Sequence, residues 1–332
     1  MTAKNQTRIL LTGGAGFVGS HLAEALLRAD FSLAVVDHLD PFYPTEWKQA
    51  NLQDLKKAGS FQLYATDIAD YDKVREAFAA MQPDVVIHLA ARAGVRPSLE
   101  EPRLYEQVNI GGTLNVLELC REFGVQRMLF GSSSSVYGLA AAPFSEEQLD
   151  LRPVSPYAAT KLAGELMCAT WARLYRMGIV VLRFFTVYGP RQRPDLAIHK
   201  FTGLMERCEP IPFYGDGSTG RDYTYVDDTV AGVLRALAYA LRREPDGGFF
   251  EVFNLGNSKP VKLSDLVETL EKVTGRKAVL DRKPAQPGEV PLTWADISKA
   301  ERLLGYKPVI SLEEGLRRFV QWYRSVGTER RA

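Results

Sequence analysis

The sequence predicts an α/β protein with a doubly wound parallel sheet and a smaller α/β domain. Short apolar runs alternate with helical patterns through the first half, a glycine-rich turn follows the first run, and the second half is irregular and rich in Pro and Gly. The 332 residues allow one large or two ordinary domains. We expect residues 1–185 with about 224–256 to form the first domain, and about 186–223 with 257–332 to form the second.

The composition is that of a globular protein, with 46% hydrophobic residues, 24% charged residues and a formal net charge of +1. This balance gives no electrostatic reason to expect nucleic acid or an anionic membrane as a partner. No apolar run reaches transmembrane length and no signal-peptide pattern precedes the first strand, so we expect a cytoplasmic protein. The three widely spaced cysteines predict neither a disulfide framework nor a metal site.

A glycine-rich turn joins the first predicted strand, residues 8–12, to a helix with apolar residues at helical spacing. Its G-x-x-G-x-x-G spacing lets backbone N–H groups and a helix N-terminus meet a pyrophosphate, as in Rossmann-type dinucleotide sites. The alternative is an ordinary glycine turn, which the flanking strand and helix make less favoured. We expect contacts to a dinucleotide from Gly13, Gly16, Phe17, Val18 and Gly19.

Acids end the second and third predicted strands. Asp37 follows the run 33–36 and is placed to bind the ribose hydroxyls of the adenosine. Because a carboxylate repels a 2′-phosphate, and His38 rather than an arginine comes next, we predict NAD rather than NADP. For Asp37 alone, a turn residue at a strand end is an equally good interpretation. Asp67 and Ile68 follow the third run and are placed to meet the adenine.

The fourth run, residues 85–91, is apolar apart from His88, as expected of a buried parallel strand. We interpret His88 as a core residue with satisfied hydrogen bonds. Ligands of such sheets bind beyond the carboxyl ends of the strands. The fifth run ends in four serines, residues 132–135, which offer hydroxyls to a substrate at that edge.

Tyr157 and Lys161 stand four residues apart in a stretch whose Ser155-Pro156 is typical of a helix start. On a helix both side chains share one face, and a lysine ammonium beside the tyrosine hydroxyl would lower the tyrosine pKa. Tyr157 is therefore a candidate acid/base. Alone, such a pair is more often a solvated helix face, but the preceding motifs reverse that preference.

Together these motifs resemble the extended short-chain dehydrogenase/reductase family, in its nucleotide-sugar epimerase and dehydratase branch, over nearly the whole chain. The resemblance implies an enzyme that binds NAD. It implies that Tyr157 is the catalytic base, that Lys161 binds the nicotinamide ribose and that Ser133 hydrogen-bonds the sugar hydroxyl that is oxidised. Further positions that match the family's NAD site are Leu89, Ala90, Ala91, Asn109, Ser132 and Val187.

Within the branch, three stretches most closely resemble UDP-glucuronate 4-epimerases: residues 91–98, 183–190 and 191–195. In those enzymes the arginine that matches Arg193 helps to bind the sugar carboxylate. A guanidinium with nearby hydroxyls can replace the water that a buried carboxylate loses. Without the resemblance, Arg193 reads as a surface arginine. The implied contacts to a UDP-sugar are Arg96, Ser133, Ser134, Ser135, Thr186, Arg193, Tyr214, Arg221, Gln286 and Glu289.

The resemblance implies inversion at C4 of UDP-glucuronate to give UDP-galacturonate. Tyr157 takes the C4 hydroxyl proton, the C4 hydride passes to NAD, and the 4-keto sugar turns and receives it on the other face. The main alternative is a UDP-glucose 4-epimerase. Only Thr186, Arg193 and the loop at Gln286 distinguish it from a UDP-glucuronate 4-epimerase. An alternative from another class is a non-catalytic NAD-binding regulator. The intact Ser133, Tyr157 and Lys161 argue against it.

Two further enzymes of the family are less favoured because of the serine run. A 4,6-dehydratase carries Asp-Glu at the positions of Ser134 and Ser135. A UDP-glucuronate decarboxylase usually carries Glu at the position of Ser135. The sequence therefore offers no acid there to run an elimination.

Two predicted helices, residues 102–123 and 156–176, match those that form the family's four-helix dimer contact. Both carry apolar residues beyond one stripe, for example Leu162, Leu166, Trp171 and Leu174. We therefore expect a homodimer. The alternative is that both stripes pack inside the protein.

Overall fold

The computed structural model of the chain describes residues 6–244, 247–284 and 290–326. Through residue 184, each of the first five strands is followed by one or more helices. Their bounds are β1 Arg8–Thr12, α1 Phe17–Arg28, β2 Ser32–Val36, α2 Thr45–Ala58, β3 Gln62–Tyr64, α3 Tyr71–Met81, β4 Val85–His88, α4 Val95–Glu100, α5 Pro102–Tyr105, α6 Gly112–Glu122, β5 Arg127–Ser133, α7 Pro156–Tyr175 and β6 Gly178–Phe184.

The remainder of the chain is less regular. It starts with a three-residue strand directly after β6 and ends in an amphipathic helix. The bounds are β7 Thr186–Tyr188, α8 Ala197–Glu206, β8 Ile211–Tyr214, β9 Gly220–Tyr225, α9 Val226–Arg242, β10 Phe249–Leu255, β11 Pro260–Lys262, α10 Leu263–Thr274, β12 Leu280–Lys283, α11 Ser298–Leu304 and α12 Leu312–Ser325.

Seven strands form one parallel sheet in the order β10-β6-β5-β4-β1-β2-β3. Strands β1 to β3 extend to one side and β4 to β6 to the other, so the strand order reverses between β1 and β4. This is the doubly wound Rossmann-type arrangement that the sequence predicts. Ligands of such sheets bind where the order reverses, beyond the carboxyl ends of the strands.

Both faces of the sheet are covered, because alternate residues of each strand point to opposite sides. Ile9 and Leu11 belong to one buried cluster and Leu10 to the other, and all three are fully buried. The first cluster takes in residues of α1 and α9, and the second takes in residues of α3, α6 and α7. The near-continuous apolar runs of the strands follow from this double burial.

His88 ends β4 inside this core and is 1% exposed. Its two ring nitrogens lie 2.7 Å from the Thr12 hydroxyl and 3.1 Å from the Thr113 hydroxyl. Burial and the charge of Lys161 lower the pKa of His88 to about 3. The interpretation of His88 as a satisfied core residue is confirmed.

Two small sheets lie in the later part of the chain. One has the order β11-β9-β7 and the other pairs β12 with β8. They position residues 186–188, 211–214 and 220–225, which include three of the predicted substrate contacts. Within the described residues, no helix is both long and apolar enough to cross a membrane.

Candidate active site

A cleft of about 920 Å³ lies at the carboxyl ends of β1, β2, β4 and β5 and reaches residues of all three sheets. It brings together the predicted residues from both halves of the chain. Asn109 does not line it, and Gln286 and Glu289 lie outside the described residues. The predicted residues that line it are Gly13, Gly16, Phe17, Val18, Gly19, Asp37, His38, Asp67, Ile68, Leu89, Ala90, Ala91, Arg96, Ser132, Ser133, Ser134, Ser135, Tyr157, Lys161, Thr186, Val187, Arg193, Tyr214 and Arg221.

The glycine turn is built so tightly that side chains do not fit. Gly13 has a φ of +78°, and a Cβ there would lie 2.8 Å from the backbone nitrogen of Ala90. A Cβ on Gly19 would lie 2.0 Å from the carbonyl oxygen of Gly13. Helix α1 begins after Gly16, which makes no side-chain capping bond, so the first N–H groups of the helix remain for an anion. These features fit the pyrophosphate of a dinucleotide.

Asp37 is 8% exposed and borders the same end of the cleft. Its two carboxylate oxygens accept hydrogen bonds of 2.9 Å each from the backbone N–H groups of Ala15 and Leu39. The next residue, His38, is half exposed, and its Nδ1 lies 3.5 Å from a carboxylate oxygen of Asp67. The residue that follows Asp37 therefore lies beside the acid predicted to meet the adenine.

Asn109 is 2% exposed, and its position does not support the predicted contact to a cofactor. Its side-chain oxygen accepts from the N–H of Arg92, and its side-chain nitrogen donates to the Arg92 carbonyl and the Thr160 hydroxyl. The π-helical turn Glu106–Gly111, which interrupts the predicted single helix 102–123, carries this residue. Asn109 ties the loop after β4 to helix α7.

Helix α7 begins as predicted, with the Ser155 hydroxyl accepting from the N–H of Ala158. It carries Tyr157 and Lys161 one turn apart. The Lys161 ammonium donates to the Gly131 carbonyl at 2.7 Å, and burial lowers the pKa of Lys161 to about 8.

The ammonium is directed to the backbone of β5, and the predicted effect of Lys161 on the tyrosine pKa stays a prediction. Burial raises the pKa of Tyr157, opposed by a hydrogen bond with Ser133 and by the charge of Arg193. Ser133 and Arg193 therefore favour the tyrosinate, against the effect of burial.

The serines at the end of β5 have separate partners. Ser133 Oγ accepts from the hydroxyl and the N–H of Ser135, at 3.0 and 3.2 Å, so its own hydrogen remains to donate. Ser132 instead donates to Glu165 at 2.5 Å. Glu165 forms a buried, two-bond ion pair with Arg183 on β6.

Arg193 and Tyr157 line the same cleft, and the charge of Arg193 acts to lower the tyrosine pKa. Its Nε and Nη2 donate to the two carboxylate oxygens of Asp195, at 3.0 and 2.7 Å. Burial disfavours the guanidinium charge, but the hydrogen bonds and charge of Asp195 outweigh this and raise the pKa of Arg193. Arginine has five N–H donors, so Asp195 does not exhaust them.

Arg96 on α4 and residues of the later strands also line the cleft. The Cζ of Arg96 lies 5.7 Å from the centre of the Tyr214 ring on β8. Arg221 on β9 donates to the Gly220 carbonyl at 2.9 Å, and Thr186 opens β7. An aromatic ring, arginines and a hydroxyl here suit a ligand with a flat base and anionic groups.

Sequence reasoning missed four residues at this site. Phe42 and Arg92 line the cleft, Asp195 pairs with Arg193, and Glu165 holds Ser132. Two of them carried a signal, because Glu165 lies one turn beyond Lys161 on the same helix face and Asp195 lies two residues beyond Arg193. For Phe42 no local pattern indicated the contact.

The chain is similar in sequence to known nucleotide-sugar enzymes. A family model described as GDP-mannose 4,6 dehydratase matches residues 10–319. A UDP-glucuronate 4-epimerase from Thermodesulfobacterium geofontis (strain OPF15) is 43% identical over 314 residues, 94% of this chain and 95% of that protein.

Solved structures give the same result. A UDP-glucuronic acid 4-epimerase from Bacillus cereus, in complex with UDP-glucuronic acid and NAD, is 39% identical with a TM-score of 0.87, covering 95% of this chain and 98% of that one. A UDP-glucose 4-epimerase from Thermotoga maritima, with UDP-glucose, is 35% identical with a TM-score of 0.86 over the same shares. The resemblance stated from the motifs is confirmed: the chain belongs to the GDP-mannose 4,6-dehydratase family of extended short-chain dehydrogenases/reductases.

Proposed function

We propose that this protein is an NAD-dependent UDP-glucuronate 4-epimerase that interconverts UDP-glucuronate and UDP-galacturonate through a 4-keto intermediate. The observation that carries the proposal is the presence of Tyr157, Ser133 and Arg193 in one cleft, with the Arg193 charge acting on Tyr157. An acid/base and a carboxylate-binding group thus lie at the same end of the site. The similarity to epimerases described with UDP-glucuronic acid and NAD supports it.

The chain's own residues account for the proton transfer. The ionised form of Tyr157 accepts the proton of the C4 hydroxyl. Ser133, whose oxygen already accepts from Ser135, donates its hydrogen to the tyrosinate and favours that form. NAD, when bound at the glycine turn and Asp37, supplies a reversible acceptor for the C4 hydride. Lys161 anchors the end of β5 that carries the serines.

The competing function is a UDP-glucose 4-epimerase. One observation favours it: Asp195 already neutralises Arg193, which weakens the attraction for a second carboxylate. The similarity to the Thermotoga maritima enzyme also allows it. Against it, the remaining donors of Arg193 and the hydroxyls of Ser134 and Thr186 suit a carboxylate better than a hydroxymethyl group.

A panel of UDP-sugars tests the proposal. We expect kcat/KM for UDP-glucuronate to exceed that for UDP-glucose by about tenfold or more, because unmatched buried donors cost about 1–3 kcal/mol each. Purified protein would be incubated with each sugar and the C4 epimers followed by NMR. A preference for UDP-glucose would replace the proposal by its competitor.

Binding of NAD over NADP is a second expectation. The Asp37 carboxylate is buried at the cofactor end of the cleft, where a 2′-phosphate would meet its charge. Calorimetric titration of the protein should give clearly tighter binding of NAD than of NADP. Asp37→Ala should reduce this difference in affinity. Asp67→Ala, a cleft acid assigned to the adenine, serves as the control and should weaken both cofactors alike. Equal affinity in the wild type would reject the role of Asp37.

We also propose the two-part division of the chain into an NAD-binding domain, residues 1–185 with about 224–256, and a UDP-sugar-binding domain, about 186–223 with 257–332. All strands of the seven-stranded sheet fall in the first part. The two small sheets fall in the second, except that β9 runs on to Tyr225. The boundary therefore lies within a strand rather than in a linker.

A homodimer is the third expectation. Leu166 and Leu174 on α7 are each 63% exposed, and Leu114 on α6 is 39% exposed. Such a surface suits the family's helical dimer contact. Light scattering at micromolar concentration should give the mass of a dimer, and Leu166→Glu with Leu174→Glu should give a monomer. Leu149→Glu, at a position 94% exposed outside these helices, is the matched control. A monomeric wild type would contradict the proposal.

A further inference from the structure

The ring of Phe42 faces two guanidinium groups at the edge of the cleft. The Cζ atoms of Arg92 and Arg193 both lie over this ring, each 5.2 Å from its centre. A cation over an aromatic face is attracted by the charge distribution of the ring, and the attraction grows as water is removed. The two arginine side chains are only 13% and 15% exposed, so water screens these contacts weakly.

The backbone that carries Phe42 is fixed by its own hydrogen bonds. The Asp40 carboxylate accepts from the N–H of Phe42 at 2.9 Å and also pairs with Arg92. Lys48 donates to the Asp40 carbonyl at 2.6 Å, and Asp37, further upstream, is held by two backbone N–H groups. The loop therefore presents the ring in a defined position, between the cofactor end of the cleft and Arg193.

Arg193 is consequently held from two directions. Asp195 takes two of its N–H donors in the plane of the guanidinium, and Phe42 contacts the guanidinium through its ring. Immobilising a flexible side chain when a ligand binds costs affinity, and a group already in position avoids that cost. The donors that Asp195 leaves can then meet a second anion without a search through rotamers.

We propose that Phe42 is a positioning residue that sets the preference for a carboxylate-bearing sugar by holding Arg193 in the orientation that receives the carboxylate. The inference rests on the proposed function, because it concerns how Arg193 recognises a uronate. Phe42 itself makes no polar contact to the sugar and acts through the guanidinium. A ring that only filled the wall of the cleft would affect neutral and charged sugars alike.

The test compares kcat/KM for UDP-glucuronate with kcat/KM for UDP-glucose in Phe42→Leu, which keeps apolar bulk but removes the ring. We expect the ratio of the two to fall about 3- to 20-fold, mainly through KM for UDP-glucuronate. Phe42→Tyr, which keeps the aromatic face, should keep the wild-type ratio. Phe61→Leu, a half-buried phenylalanine outside the cleft, is the matched control for the substitution itself. An unchanged ratio in Phe42→Leu would overturn the proposal.

A double-mutant cycle identifies Arg193 as the group through which Phe42 acts. In an Arg193→Ala background, Phe42→Leu should cause no further loss on UDP-glucuronate; a full additional loss would also overturn the proposal. The cycle can be measured even if the wild type prefers UDP-glucose, so failure of the proposed function and failure of this inference are distinguishable. If Phe42→Leu loses its NAD or its circular dichroism signal, Phe42→Met takes its place in the same cycle.

Discussion

Phe at position 157 should leave a folded, NAD-binding protein that no longer epimerises. Tyr157→Phe removes one hydroxyl and changes packing little, and a general acid/base contributes about 10²–10⁴-fold to rate. Tyr157 lies at the start of α7, is half-buried and lines the cleft together with Ser133. Single-turnover measurements with UDP-glucuronate, together with the NAD content of the purified protein, would check this. Turnover near that of the wild type would remove Tyr157 from the mechanism.

Ser133→Ala is the informative companion to this variant. Ser133 opposes the rise that burial causes in the pKa of Tyr157. Removing its hydroxyl should therefore raise the pKa of Tyr157 further. Because the active form is the tyrosinate, which exists above that pKa, the acidic limb of the pH–rate profile should move to higher pH. An acidic limb that stays in place would show that Ser133 does not tune the tyrosine.

The fold could be predicted from the sequence because its signals are local. Strand β1 has the bounds expected, Arg8–Thr12, since an apolar run meets a glycine turn there. Parallel strands buried on both faces read as apolar runs, and their ends necessarily meet at one edge of the sheet. Nearly all the predicted site residues line the cleft at that edge, although the sequence alone contains no distances. The predicted nucleotide site lies at this edge by the same rule.

The orientation of individual side chains could not be predicted in the same way. The spacing of Tyr157 and Lys161 gave their shared helix face, but not that the ammonium would choose the Gly131 carbonyl. Asn109 matched a cofactor position, yet a π-helical turn directs its amide to Arg92 and Thr160. Each outcome depends on which acceptor or donor another part of the chain brings near, and such competition leaves no trace in residue spacing.

Arg193→Ala should reduce kcat/KM for UDP-glucuronate about 10- to 100-fold and affect UDP-glucose much less. A hydrogen bond to a charged group contributes about 1.5–3 kcal/mol, and only the uronate carries a carboxylate to receive it. A carboxylate released from its donors is also free to turn out of the plane of the 4-keto group, the orientation that favours loss of CO₂. We therefore expect a pentose product in this variant, which NMR would detect.

The neighbouring acid complicates this result and also supplies its control. Arg193→Ala leaves Asp195 without its two-bond partner, and the unpaired charge would repel a uronate even if Arg193 never touched it. Adding Asp195→Asn removes that repulsion. If Arg193 binds the carboxylate directly, the ratio of kcat/KM for UDP-glucuronate to kcat/KM for UDP-glucose should remain lower in the double variant than in the wild type. Recovery of the wild-type ratio between the two sugars would mean that Arg193 only neutralises Asp195 and that other groups recognise the carboxylate.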